Sequence, residues 1–190
     1  LEIANAVVPD LIQKLPSLQH SANMSGLLGS YFVKKYGFSR KTRCINWSGD
    51  NPCSLVGMGA ARPGKWVISL GTSFTLFSAI EDPKADPQGF GHVFGNPIDD
   101  YMALSCFKNG ALACVAIKKQ LGISWEQFNE IAATPPTLDD EPALPFFDTE
   151  ITPLHQAVDQ SQTTARGLLD GQFLNMLHHT RWIGTQPDVI

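Results

Sequence analysis

The sequence predicts an α/β fold, with a mixed sheet and flanking helices. Short stretches rich in β-branched and aromatic residues indicate strands, and segments with helical spacing of apolar residues indicate helices. Their order is strand, helix, hairpin, third strand and then helices, which suits a layered α/β architecture. With 190 residues, 43% of them hydrophobic, the chain is long enough to bury a core within one domain.

The N-terminal quarter predicts two helices and a short strand. Residues 1–20 read as a partial helix followed by a turn bounded by Pro16. Residues 25–36 have helical spacing, and Gly37 is expected to end that helix. Residues 44–47 then read as a strand that leads into a tight turn.

A helix and a hairpin are expected in the middle of the chain. Pro52 suits the first position of a helix that runs to Ala61, with Asp50 or Asn51 as its N-cap. Strands are then expected on both sides of a three-residue link. The two strands and the link span residues 66–70, 74–78 and 71–73.

The C-terminal half predicts one more strand and three helices. Residues 134–153, which are rich in proline and acidic residues, read as a long surface excursion. Ser124 is expected to cap the second helix, and Thr163 or Thr164 the third. The strand and the helices span residues 101–106, 111–120, 124–133 and about 164–182.

Charge and cysteine content exclude several classes of protein. A net charge of −4 and a pI near 5.7 give no electrostatic reason to expect a nucleic acid or an anionic membrane as partner. No apolar run approaches the roughly 20 residues of a membrane span, and no signal peptide is visible. The four cysteines lack metal-ligand spacing and read as reduced thiols rather than as a zinc or disulfide site. We therefore expect a cytoplasmic protein.

A carboxylate at the start of a helix is the first candidate for catalysis. The positive end of the helix dipole keeps Asp50 ionised, and a carboxylate there can accept a proton from an alcohol as a phosphoryl group arrives. Asn51 beside it offers an amide to sugar hydroxyls. The alternative is that Asp50 only caps the helix and that Asn51 is an ordinary turn residue.

The link between the two middle strands is a candidate phosphate site. Gly71, Thr72 and Ser73 provide backbone N–H groups and two hydroxyls that can cradle a phosphate. The same residues also suit a plain hairpin. Because phosphoryl transfer needs both a base for the alcohol and a seat for the phosphate, the order Asp50 and then residues 71–73 favours a sugar kinase.

Trp125 is a candidate nucleotide contact. It stands at the first turn of a helix, in an otherwise polar stretch. An exposed indole face can stack on a purine. The alternative is a half-buried packing anchor.

Several longer segments, taken together, carry a resemblance to a known family. They are WSGDNPCSLVGMG (47–59), VISLGTSFTLF (67–77), GHVFGNP (91–97), YMALSCFKNG (101–110), AR (165–166) and GQF (171–173). These segments resemble the FGGY carbohydrate kinases, and within them the xylulose kinases of the animal and fungal type. The resemblance runs from about residue 25 to 183, and residues 134–160 match poorly.

This resemblance implies an actin-like ATPase fold of the ribonuclease H-like type, in a two-domain enzyme that phosphorylates D-xylulose with ATP and Mg²⁺. Asp170 stands where the family usually has Glu, and both are acidic. The implied site residues are Asp50 as general base, Asp50 and Asn51 as sugar contacts, Gly71, Thr72 and Ser73 as ATP phosphate contacts, and Trp125 as a nucleotide contact.

By the same resemblance the chain looks like an incomplete kinase. Residues 1–40 would end a preceding region and lead into residues 41–190, part of the C-terminal ATP-binding domain. A sugar-contacting domain with a magnesium-site aspartate would precede residue 1, and an adenosine motif would follow residue 190.

Two other functions remain open. The first is another FGGY kinase, acting on a ribulose, gluconate or glycerol. The second is a non-catalytic actin-like module that binds a nucleotide without turnover, although such a module has no need of a base at Asp50.

Overall fold

The computed structural model describes residues 8, 10–137, 139–184 and 187–188. The chain divides into two compact units, Leu1–Gly49 and Asp50–Ile190. A partial helix is predicted within residues 1–20, and residues 1–7 and 9 of that segment lie outside the described residues. Within the described ranges, no helix is both long enough and apolar enough to cross a bilayer.

The first unit contains a two-stranded antiparallel ribbon. Met24 pairs with Ile45, and Leu27 pairs with Arg43. The side chain of Asn46 donates to the backbone oxygen of His20 at 3.0 Å, next to the ribbon. The elements of this unit are helix α1 (Leu11–Lys14), strand β1 (Met24–Leu27), helix α2 (Ser30–Tyr36) and strand β2 (Arg43–Ile45).

The prediction of one helix over residues 25–36 is wrong for its first part. The helix begins only at Ser30, and the preceding residues pair with β2 as a strand. Inter-strand hydrogen bonds outweigh the helical spacing there, and glycine at position 26 weakens a helix. The predicted stop is confirmed: Gly37 has a φ of 73°, and its N–H donates to Val33 O at 3.1 Å.

A four-stranded sheet organises the second unit. Its strands are β3 (Trp66–Leu70), β4 (Phe74–Ile80), β5 (His92–Gly95) and β6 (Tyr101–Phe107). Their order in the sheet is β3-β4-β6-β5, and each neighbouring pair is antiparallel. The expectation of a mixed sheet is therefore wrong for the described residues. Strands β3 and β4, and strands β5 and β6, are consecutive antiparallel pairs, and β4 and β6 join the two pairs with the same antiparallel direction.

Helices cover both faces of this sheet, which agrees with the flanking helices that the sequence predicts. Alternate residues of β4 point to opposite faces, so that Leu76 and Phe77 belong to different hydrophobic clusters. One cluster joins the sheet to three helices, whereas the other joins it to Leu55, in the helix over Asp50–Gly57. The helices are α3 (Asp50–Gly57), α4 (Ala111–Leu121), α5 (Trp125–Ala133) and α6 (Ala165–His179).

Several helix ends have the caps that the sequence predicts. Ser124 and Gln127 form a reciprocal capping box at the start of α5, with distances of 3.2 and 2.8 Å. Of the two threonines proposed for α6, Thr164 is the cap, and its hydroxyl accepts from Gly167 N at 2.9 Å. The helix ends at His179, before a 3₁₀ turn over Arg181–Ile183.

The prediction of a surface excursion over residues 134–153 is wrong for its second half. Phe146 and Glu150 are 3% and 1% exposed. This segment approaches α6 closely, because a Cβ at Gly167 would lie only 2.6 Å from Glu141 O. Two short strands follow, β7 (Glu150–Ile151) and β8 (Leu154–His155).

Candidate functional site

The predicted phosphate turn is the link of the β3–β4 hairpin. Leu70 pairs with Phe74, which leaves Gly71, Thr72 and Ser73 outside the ladder. Gly71 and Thr72 are exposed, and Ser73 is partly buried. The predicted hairpin is confirmed, and Gly71 and Thr72 face solvent, where a phosphate has access to them.

The start of helix α4 lies directly against this turn. The N–H of Ala111, the first residue of α4, donates to Gly71 O at 3.1 Å. A Cβ on Gly110 would lie 2.6 Å from Phe74 N and 2.7 Å from the carbonyl carbon of Ser73. Glycine is therefore required at position 110, and the approach brings the positive end of the α4 dipole to the turn.

A buried carboxylate holds the residues that precede α4. Glu150 Oε1 accepts from Lys108 N at 2.7 Å, and Oε2 accepts from Asn109 N and Nδ2 at 3.0 and 2.9 Å. Gln172 Nε2, from α6, donates to Asn109 O at 2.7 Å and to Gly110 O at 3.0 Å. The turn before α4 is thus fixed through both its donors and its acceptors.

Sequence reasoning missed Glu150, Asn109 and Gln172 as parts of this site. Glu150 lies in the segment predicted to be a surface excursion, and its partners lie 41 and 42 residues earlier. The Lys-Asn-Gly turn at 108–110 was the available signal, because a glycine before a helix suits a close approach of backbones. Lys108 itself is exposed, and its Nζ pairs with Asp148 at 2.8 Å.

The Cys106 thiol lies close to both the turn and Glu150. Burial raises the pKa of Cys106, the negative charge of Glu150 raises it further, and a side-chain hydrogen bond with Ser73 acts in the opposite direction. The thiol is therefore held in its protonated form at neutral pH.

Asp50 and Asn51 open helix α3. The helix begins at Asp50 itself, so the expectation of Asp50 or Asn51 as N-cap with Pro52 in the first position is shifted by two residues, within the usual variation of helix boundaries. Asp50 is exposed, and its Oδ1 accepts from Asn51 N at 2.8 Å. The carboxylate thus lies in the first turn, where the helix dipole is positive.

Trp125 opens helix α5 and is 44% exposed. Its ring meets Phe128 edge to face at 5.5 Å, and Lys118 Nζ lies 5.3 Å from the ring centroid. Lys118 follows Gly110 by eight residues, which corresponds to about 12 Å along α4. Trp125 is therefore placed towards the end of α4 that is remote from the phosphate turn.

The predicted site residues occupy three different elements. The phosphate turn contacts α4 on one face of the sheet, whereas Asp50 begins the helix that covers the other face. A cavity of about 430 Å³ lies elsewhere, between residues 142–146 and α6, and it has an apolar lining. Among the described residues, no three His, Cys, Asp or Glu side chains lie close enough together to hold a metal ion.

Known proteins similar to this chain are sugar kinases. The xylulose kinase of Rattus norvegicus is 35% identical over 196 residues, which cover 95% of this chain and 36% of the rat protein. The xylulose kinase of Schizosaccharomyces pombe is 37% identical over 143 residues, 69% of this chain and 25% of that protein. The chain thus spans about a third or less of the length of these relatives. No protein-family model matches it.

Solved structures confirm the predicted actin-like ATPase fold class. A xylulose kinase from Rhodospirillum rubrum superposes with a TM-score of 0.77 and 20% identity, over 96% of this chain and 42% of that chain. A gluconate kinase from Lactobacillus acidophilus reaches the same TM-score at 19% identity, over 92% of this chain and 39% of that one. The chain is therefore a homologue of the xylulose kinases and belongs with them to the FGGY carbohydrate kinases.

Proposed function

We propose that this chain is part of an ATP-dependent D-xylulose kinase. The enzyme would transfer the γ-phosphoryl group of MgATP to a hydroxyl of D-xylulose and release D-xylulose 5-phosphate and ADP. The observation that carries this proposal is the exposed Gly71–Ser73 turn against the start of α4, in a chain 35% identical to a mammalian xylulose kinase.

In this proposal, Gly71, Thr72 and Ser73 bind the phosphates of ATP. The turn offers N–H groups and hydroxyls, and the eleven-residue helix α4 directs its positive end towards the same place. Mg²⁺ would be bound to the phosphate oxygens, as is usual for this ion, and would neutralise charge during transfer.

Asp50 is the proposed general base, and Asp50 and Asn51 are the proposed sugar contacts. The carboxylate is exposed at the first residue of α3, so a hydroxyl can reach it. Residues 58–65 form only a short connection from α3 to β3. Such a connection suits a helix and a strand that run in opposite directions, an arrangement that brings Asp50 and the phosphate turn to the same end of the layers.

Trp125 is the proposed nucleotide contact. Its ring meets Phe128 at an edge, and the Lys118 ammonium lies over it. With 44% of the residue exposed, enough of the indole surface remains open to stack on a purine.

We also propose a domain assignment and a cellular location. Residues 41–190 would belong to the ATP-binding domain, and residues 1–40 would lead into it. The enzyme would act in the cytoplasm on small-molecule substrates, with neither a nucleic acid nor a membrane as partner. The net charge of −4 supports this choice of partners.

Assay of the full-length kinase for coupled ADP release tests the proposal. D-xylulose should stimulate ADP release, and it should do so more strongly than D-ribulose, gluconate or glycerol. A stronger response to gluconate would indicate a gluconate kinase instead. The similar fold of the gluconate kinase from Lactobacillus acidophilus is the observation that supports this alternative. Nucleotide binding without ADP release in the presence of any of these substrates would instead indicate a non-catalytic module.

A further inference from the structure

Glu150 is a buried carboxylate that contacts several N–H groups. The residue is 1% exposed, and its two oxygens accept hydrogen bonds from five donors. Two of the donors follow it along the chain, and the other three belong to Lys108 and Asn109. The donors are Lys108 N (2.7 Å), Asn109 N (3.0 Å), Asn109 Nδ2 (2.9 Å), Ile151 N (2.7 Å) and Thr152 N (3.3 Å).

A continuous series of contacts leads from this carboxylate to the phosphate turn. Glu150 binds Asn109, and Gly110 follows Asn109 directly. At Gly110 the backbone comes so close to Ser73 and Phe74 that a Cβ has no room. The N–H of Ala111 then donates to Gly71 O at 3.1 Å. Any movement of residues 108–110 is therefore transmitted to the hairpin.

Two further contacts stiffen the same turn. Asn109 Oδ1 accepts from Asp148 N at 2.9 Å, and Asn109 Nδ2 donates to Asp148 O at 3.0 Å. From the other side, Gln172 donates to the carbonyl oxygens of Asn109 and Gly110. Hydrogen bonds to an ionised acceptor are the stronger kind, so the Glu150 contacts are expected to dominate this network.

We propose that Glu150 is a positioning residue for ATP: it holds residues 108–110, and through Gly110 the Gly71–Ser73 turn, in the shape that binds the phosphates. This inference rests on the proposed function. Glu150 itself is not expected to touch the nucleotide, since its oxygens are already occupied by the five donors.

The chemistry of the site requires a carboxylate rather than an amide. Oε1 faces three N–H donors and Oε2 faces two. Glutamine would direct an NH₂ group towards one of these sets in either orientation, so that donors would face donors and stay unsatisfied. Glu150→Gln therefore tests the carboxylate with almost no change of shape.

The experiment compares three variants of the full-length kinase. Glu150→Gln should raise the KM for MgATP by about 10-fold to 100-fold, the loss expected when hydrogen bonds to a buried charged group are broken. Its KM for D-xylulose should change by less than about two-fold, because the sugar contacts are elsewhere. Gln172→Met removes the two N–H donors on the other side of the turn, and it should also raise the KM for MgATP.

Gln160→Leu is the matched control. Gln160 is 8% exposed and uses its side chain to bind Leu144 O and Thr163 Oγ1, at 2.9 and 2.6 Å. The Gln160→Leu variant therefore loses buried hydrogen bonds in the same unit. Neither of these two bonds involves residues 108–110. At a temperature well below unfolding, its KM for MgATP should equal that of the wild type, even if its melting temperature falls as far as that of Glu150→Gln.

The outcomes separate this inference from the proposed function. Absence of D-xylulose-dependent turnover in the wild type contradicts the proposed function. In that case, calorimetric binding of ADP to the wild type and the variants tests whether Glu150 positions the nucleotide-binding turn. Equal nucleotide affinity in the wild type, Glu150→Gln and Gln172→Met overturns the inference, as does an equal loss in Gln160→Leu. If Glu150→Gln does not fold, the nucleotide affinity of Gln172→Met tests the inference in its place. A wild type that binds no nucleotide overturns both proposals.

Discussion

At Asp50, helix capping and catalysis predict opposite results for a single substitution. Asp50→Asn should lower kcat of the full-length kinase by about 10²-fold to 10⁴-fold if the carboxylate is the general base. ADP affinity, measured by calorimetry, should be little changed because the phosphate turn is untouched. Since asparagine serves as well as aspartate at the start of a helix, a variant with full activity would rule out the base.

Trp125 is expected to contribute to nucleotide affinity through its exposed face. Trp125→Ala should weaken ATP binding by roughly 1–3 kcal/mol, as for other base–aromatic stacks. Trp125→Phe is the matched control, because a smaller ring retains both stacking and the edge contact with Phe128. An unchanged KM for ATP in the alanine variant would leave Trp125 as a packing anchor for Phe128 and Lys118.

The residues that were predictable from the sequence are those whose setting is local. Gly71–Ser73 could be placed in a hairpin because the strands on both sides are adjacent in the chain. Ser124 could be placed at a helix start from its own capping box. Glu150 could not be found in this way, because its partners Lys108 and Asn109 come from a distant turn and the intervening pairing is tertiary.

Among the elements, the contact between the β3–β4 hairpin and helix α4 is the most sensitive to side-chain volume. Gly110→Ala would bring a methyl group within 2.6–2.7 Å of backbone atoms of residues 72–74. The turn must shift, so we expect an increase of about ten-fold or more in the Kd for ADP, and a loss of about 1–3 kcal/mol in unfolding free energy, as in other overpacked sites.

Gly89→Ala provides the control for that experiment. Gly89 has a φ of 77°, and a Cβ placed there meets no atom within 4 Å, so alanine costs roughly 1–2 kcal/mol of backbone strain without overpacking. It lies in the loop after Ile80, whereas the phosphate turn precedes Phe74 at the opposite end of β4, and the Kd for ADP should therefore be unchanged. Equal losses of affinity in both variants would attribute the Gly110 effect to general destabilisation.

Predictions of elements failed where contacts distant in sequence decide the structure. Residues 25–27 begin the segment predicted as a helix over 25–36 but form part of strand β1, because Arg43–Ile45 supplies a pairing partner. Residues 142–146 have loop-like composition, yet Phe146 is buried, and the backbone of Ala143 comes so close to Gly171 of α6 that a Cβ there has no room. Neither contact can be predicted from amino-acid composition.

For the whole molecule, we expect that this chain by itself does not phosphorylate D-xylulose. It spans 36% of the length of the rat relative, and catalysis requires both substrates to be held in line. Nucleotide affinity should be weak at best, and exposed apolar side chains such as Leu154 (72%) and Leu177 (52%) favour self-association. Coupled ADP release and sedimentation of the purified chain test this, and measurable turnover would contradict it.

The dependence of the phosphate turn on Glu150 and Gln172 has a consequence for the order in which the unit folds during translation. The hairpin that carries the turn is complete at Ile80, whereas Gln172 follows roughly 90 residues later. At about 5–20 residues per second, the ribosome needs roughly 5–20 s to synthesise this interval. A nascent chain that ends before residue 150 therefore has the hairpin without its support, and the shape of the turn is set only after α6 has been synthesised.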